Sequence, residues 1–196
     1  MPELISILLA GILTDNYVLS RTTGICPFLG VSKKFNQAWG MGVAVIFVIL
    51  FSTAATLTIY TYILSGELLG FDLSYLKTVV FILVIAALVQ FVEIILKKFI
   101  PPLYKALGVY LPLITTNCVV LGIAEENITK SRDFLTSMTA AVGVGVGFLV
   151  AMILFAGVRS RIENAPAPKS FKGIPITLVA AAIVALAFSG FKTIGM

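Results

Sequence analysis

Residues 134–158 carry no charged side chain and are predominantly apolar, and nothing else in the chain restricts its fold so sharply. A bilayer core about 30 Å thick takes roughly 20 apolar residues in a helix. Residues 39–64 are equally poor in charge, and residues 75–96 carry only Lys77, Gln90 and Glu93 as strongly polar side chains. Residues 174–191 form a shorter, clean segment. Two further segments are irregular. Residues 4–19 hold Thr14, Asp15 and Asn16, and residues 103–121 hold Lys105, Pro112 and the polar run Thr115, Thr116, Asn117. These two are expected to be broken helices. Irregular backbone at membrane depth must be buried in protein, because lipid offers it no hydrogen bonds.

Composition agrees. The chain is 59% hydrophobic and 12% charged, against about 25% charged in an ordinary soluble domain. Too few polar groups remain to coat a water-facing surface, and no stretch is left for a separate soluble domain. The opening Met1-Pro2-Glu3 lacks a basic region, so the first apolar stretch is expected to be a span and not a cleaved signal. The net charge of +5 reflects loop cations and gives no reason to expect nucleic acid. There is no histidine, which excludes an imidazole-ligated haem or zinc site built from this chain alone. The only two cysteines, Cys26 and Cys118, cannot form a disulfide framework.

The expected fold is all-α, with six transmembrane spans. The loops around residues 20–37, 97–105 and 159–172 then share one side. They hold Arg21, Lys33, Lys34, Lys97, Lys98, Lys105, Arg159, Arg161, Lys169 and Lys172, ten of the fourteen basic residues. The opposite side receives Lys77, Lys130, Arg132 and Lys192, with Glu3, Glu67, Asp72, Glu125, Glu126 and Asp133. An excess of Lys and Arg marks the cytoplasmic side, so both termini are expected outside.

Six spans divide into residues 1–98 and 99–196, and a three-span half reverses its orientation when repeated. Cys26-Pro27-Phe28-Leu29-Gly30-Val31 aligns with Cys118-Val119-Val120-Leu121-Gly122-Ile123, and Thr23 with Thr115. Each block belongs to the first, broken span of its half. This is the pattern of an inverted repeat whose discontinuous helices build a site near the midplane.

A single membrane cysteine is usually a small buried hydrophobe. Two at matching repeat positions, with none elsewhere, suggest a site. Gly24 lies just before Cys26 and Asn117 just before Cys118, which places each thiol at an expected helix start, where free N–H groups favour a thiolate. Facing thiolates could close a disulfide, bind a metal or supply half of an iron–sulfur cluster. Asp15 and Glu93 are acids inside spans and therefore candidates for an ion pathway. Lys97 is a local partner for Glu93, and Arg21 the only obvious one for Asp15. Gly143, Gly145 and Gly147 alternate within one span and fit a close-packing face.

The run Gly24-Ile25-Cys26-Pro27-Phe28-Leu29-Gly30-Val31-Ser32-Lys33-Lys34 and the run Leu111-Pro112-Leu113-Ile114-Thr115-Thr116-Asn117-Cys118 closely resemble the two cysteine motifs of the A-type subunits of Rnf electron-transport complexes. Similar motifs occur in the related E-type subunit of the sodium-pumping NADH:quinone reductase. Residues 81–97 and 154–161 extend the resemblance, which covers essentially the whole chain. It implies a component of a bacterial or archaeal cytoplasmic-membrane machine that passes electrons between ferredoxin and NAD while moving sodium ions or protons. It also implies a [2Fe–2S] cluster held half by Cys26 and Cys118 and half by a homologous subunit of opposite topology. Other subunits would carry flavin and further iron–sulfur clusters. Gly24, Thr23, Thr115 and Asn117 would then surround the sulfurs, where the last three could donate hydrogen bonds. Two alternatives remain open, a transmembrane thiol–disulfide electron conductor and a secondary ion transporter.

Overall fold

The computed structural model describes residues 2–31, 35–64, 74–99, 111–162, 166, 168 and 171–194. Of the charges sorted above, Lys33, Lys34, Glu67, Asp72, Lys105 and Lys169 lie outside these residues, as does the portion 103–110 of the fifth expected span. Among the described residues every regular element is helical.

Helix α1 (Pro2–Leu9) runs on into a π-helical turn (Ala10–Thr14) and stops. After an irregular stretch, α2 (Ile25–Val31) follows. Helix α3 (Phe35–Ile59) is extended by a second π turn (Tyr60–Leu64). A 3-10 turn (Ser74–Leu76) leads into α4 (Lys77–Phe99). The short α5 (Leu111–Thr115) is followed by α6 (Cys118–Thr129), α7 (Phe134–Ile162) and α8 (Ile174–Ile194). Three helices, over Gln37–Tyr62, Lys77–Ile94 and Phe134–Ile162, are long and apolar enough to cross a membrane, and shorter apolar helices cover Glu3–Thr14 and Ile174–Gly190.

The core is the seam where α7 meets α3, with α1 and α6 packed beside it. Met41, Val45 and Ile49 of α3 and Ala141, Phe148, Ala151, Met152 and Phe155 of α7 are fully buried. Gly143, Gly145 and Gly147 allow this close approach. A Cβ on Gly143 would sit 2.9 Å from the Leu8 carbonyl, and one on Gly147 would sit 2.5 Å from the Gly11 carbonyl. A Cβ on Gly145 would meet Ile46 of α3 at 3.0 Å. The glycines therefore serve two neighbours, α1 on one side and α3 on the other, as a close-packing face requires.

The outer helices show the helical period plainly. On α4, Phe81, Ile85 and Val89 face inward, while Ile82, Leu83, Phe91 and Ile94 are each more than half exposed. Trp39, Phe47 and Phe51 of α3 and Ile183 and Leu186 of α8 add to this apolar exterior. Such a belt is unfavourable in water and suits lipid or a membrane neighbour.

One expected assignment changes. Counting by loops groups Arg21 with the cytoplasmic cations and Glu126 with the opposite side, yet the two form an ion pair. The chain turns within the fold after Asp15, so Arg21 lies beside Glu126, Lys130 and Arg132. Arg159, by contrast, reaches the Leu29 carbonyl in α2.

Candidate thiol site and the loop beside it

Two helix breaks build the site. In the second, α5 ends at Thr115 and the Asn117 amide donates to the Ile114 carbonyl at 3.2 Å. Asn117 has extended backbone, and its Oδ1 accepts from the Val119 amide at 3.1 Å. This is an N-cap: it satisfies one of the orphan donors at the start of α6. Cys118 is thereby the first residue of that helix. The Nδ2 of the same Asn117 is buried and has no hydrogen-bond partner among the described residues.

The first break is longer. The π turn closes with the Asp15 amide donating to the Ala10 carbonyl at 2.7 Å. Asn16 is fully buried and bonds in both directions. Its Nδ2 donates to the carbonyls of Gly147, at 2.8 Å, and Ile12, at 3.1 Å, while its Oδ1 accepts from the amides of Val18 and Leu19. The chain then folds back, with the Thr23 amide donating to the Tyr17 carbonyl at 2.8 Å. Thr22 and Gly24 both have positive φ, of 54° and 85°.

Gly24 is where the two breaks meet. Its amide donates to the Cys118 Sγ at 2.9 Å. A Cβ there would lie 2.6 Å from Val119 and 3.3 Å from Phe148, so conformation and space both demand glycine. Cys26 follows two residues later, and both thiols are free and exposed. The segment leading to Cys26 is therefore held at the Cys118 sulfur. Among the described residues, no three His, Cys, Asp or Glu side chains gather into a metal-binding group. Two thiols amount to half of a four-thiolate set.

Around the turn stands a charged cluster that residue order only partly foretells. Arg21 grips both oxygens of Asp15 in a fork and also reaches Glu126. Its guanidinium lies 4.6 Å from the centre of the Tyr17 ring, and the Tyr17 hydroxyl donates to Glu126. Lys130, at 2.6 Å, and Arg132, at 3.3 Å, complete the shell of Glu126. Asp15, Tyr17, Glu126, Lys130 and Arg132 line a cavity of about 220 Å³. Two carboxylates here face three cations, and Asp15 is paired with Arg21.

The other expected residues are less central. Thr23 commits its hydroxyl to the Arg21 carbonyl at 3.2 Å, and Thr115 is the last residue of α5. Glu93 sits half-buried on α4, a turn before Lys97, and does not line the cavity. Asn16, beside Asp15 in an apolar segment, caps the break as its position suggests, whereas Tyr17 and Glu126 contribute without having been expected to. Nothing local announces a contact between residues as distant in sequence as Tyr17 and Glu126.

Comparison with known proteins identifies the frame in which this geometry sits. Residues 4–195 match the family described as "Rnf-Nqr subunit, membrane protein". The chain belongs to the Rnf-Nqr family. It is 52% identical, over 96% of each chain, to the A-type subunit of the Na(+)-translocating ferredoxin:NAD(+) oxidoreductase complex of Acetobacterium woodii. It is 48% identical, over 97% of each, to the A-type subunit of the ion-translocating oxidoreductase complex of Syntrophotalea carbinolica, and 46% identical to the same subunit of Aliivibrio fischeri. These Rnf-Nqr relatives are subunits of an enzyme complex, each one component among several.

Proposed function

We propose that this chain is the A-type membrane subunit of an ion-translocating ferredoxin:NAD oxidoreductase complex and carries half the ligands of an intramembrane [2Fe–2S] cluster. Cys26 and Cys118 would hold one side of the cluster. A homologous subunit, inserted in the opposite sense, would supply the remaining thiolates. The observation that carries this reading is the Gly24 amide on the Cys118 sulfur, a contact between the two cysteine-bearing runs. Six spans in two inverted repeats, in a bacterial or archaeal cytoplasmic membrane with both termini outside, remain the topology we favour. Moving Arg21 out of the cytoplasmic set leaves nine of the fourteen basic residues there (ten less one), so the positive-inside bias keeps its sign.

When bound, the cluster would supply one-electron chemistry midway across the bilayer and divide one long transfer into two shorter ones. This chain's own residues provide the surroundings. The Asn117 cap fixes the start of α6 and with it the direction of Cys118. Val119 and Phe148, both buried, form a dry wall behind Gly24. The transported ion, sodium or a proton, would move as the redox state of the site changes.

The test is anaerobic purification of the whole assembly, with iron, acid-labile sulfide and the reduced-state EPR signal measured with and without Cys26→Ser. We expect the substitution to abolish the intramembrane cluster signal while the soluble clusters remain. A fully retained signal would remove Cys26 as a ligand. A reversible Cys26–Cys118 disulfide without iron would favour thiol–disulfide conduction instead.

A further inference from the structure

We infer that the loop of residues 15–24 sets the reduction potential of the thiol site, with Arg21, Tyr17 and Glu126 as positioning residues that hold the Gly24 amide on the Cys118 sulfur. This rests on the cluster reading above. The loop lies along one face of α6 and touches it at three points. Gly24 meets Cys118, the Tyr17 ring packs on Gly122 (3.2 Å from where its Cβ would be), and Tyr17 and Arg21 both bond Glu126. Positions 118, 122 and 126 are successive i, i+4 neighbours, so they share a single stripe of the helix. The loop is thus strapped to the helix that carries the sulfur, with one attachment at the sulfur and another two turns away.

The attachment at Glu126 fixes the aim of the Gly24 amide. Thr22 at φ 54° and Gly24 at φ 85° leave this short segment few alternative paths. Arg21, immediately before it, is held at both Asp15 and Glu126. Releasing that anchor frees the segment to withdraw from the sulfur. An N–H donor stabilises the more negative, reduced state, so hydrogen bonds to the sulfurs raise a cluster's potential. Losing the donor lowers it.

A plain field effect has the opposite sign for Glu126, which makes the inference separable. Neutralising an acid raises the potential of a nearby cluster through charge alone. Positioning predicts a fall. Glu126 also stands eight residues along α6 from Cys118, about 12 Å at 1.5 Å per residue, which weakens any direct field.

The experiment is an EPR-monitored redox titration of the intramembrane cluster in the purified complex, comparing the unaltered protein with Glu126→Gln, Arg21→Lys and Tyr17→Phe. Weakening one charge-assisted hydrogen bond corresponds to about a tenfold change in the reduction equilibrium, or about 59 mV for one electron. We expect Glu126→Gln to shift the potential downward by about that amount at unchanged iron content. Arg21→Lys keeps the charge but loses the fork, and Tyr17→Phe keeps the ring but loses the hydroxyl, so both should move the same way by less. These two keep the question decidable if Glu126→Gln fails to assemble. A loaded cluster whose potential stays fixed or rises overturns the inference alone. Absence of the intramembrane cluster's own EPR signal from the reduced, unaltered complex, with the soluble clusters present, overturns the cluster reading and the inference together.

Discussion

The two cysteine-bearing breaks do the same job with different means. The break before Cys118 is short: a helix stops at Thr115, one asparagine caps the next, and the thiol follows at once. The break before Cys26 spans Asp15 to Gly24, makes two positive-φ turns, and extends along α6 as far as Glu126. Both use an asparagine whose Oδ1 accepts backbone amides just ahead of it, Asn16 in the first and Asn117 in the second. The difference lies in the Nδ2. That of Asn16 bonds to α7 through the Gly147 carbonyl, whereas that of Asn117 is unpartnered among the described residues. The first break is therefore bound into the bundle, and the second acts mainly as a local cap.

Substitution at the two asparagines tests this contrast directly. Asn16→Ala would strand buried partners on both sides of the turn, at about 3 kcal/mol. It should give the largest fall in thermal midpoint of the solubilised complex. Asn117→Ala removes one cap and should cost about 1 kcal/mol, with a correspondingly smaller fall. Equal losses at the two positions would refute the distinction. The smallest effect is expected from Lys130→Ala. That side chain is about half exposed, and such a pair contributes about 0.5 kcal/mol or less. A large loss there would show that Glu126 depends on each of its cations, and that the outer cluster is less redundant than its three basic partners suggest.

Much of this is readable from residue order. The long apolar segments point to the spanning helices, because a charge-free run of that length has few other stable environments. Asp15–Asn16 and Thr116–Asn117 mark both breaks, since polar runs within apolar segments favour local capping over continued helix. The alternating glycines point to the packing face. What residue order does not contain is the route of the chain between Asp15 and Gly24. Counting cations by loop assumes that each segment crosses, and so separates Arg21 from Glu126, which it touches. Its partner Glu126 belongs to the other half of the chain, and a long-range ion pair leaves no periodicity in the sequence. Asp15 shows the same limit: as a lone acid in a span it suggests an ion ligand, and its fork with Arg21 is visible only as a nearby possible partner.

The glycine face on α7 has a consequence for how the chain can change in length. Gly143 and Gly147 meet the backbone of the α1 segment, and Gly145 meets Ile46 on α3. One residue inserted between them would turn everything beyond it by about 100°, presenting side chains where only hydrogen atoms fit. Insertions within residues 143–147 should therefore be rejected outright. The middle of α7 thus behaves as a fixed register mark against which the rest of the chain is measured.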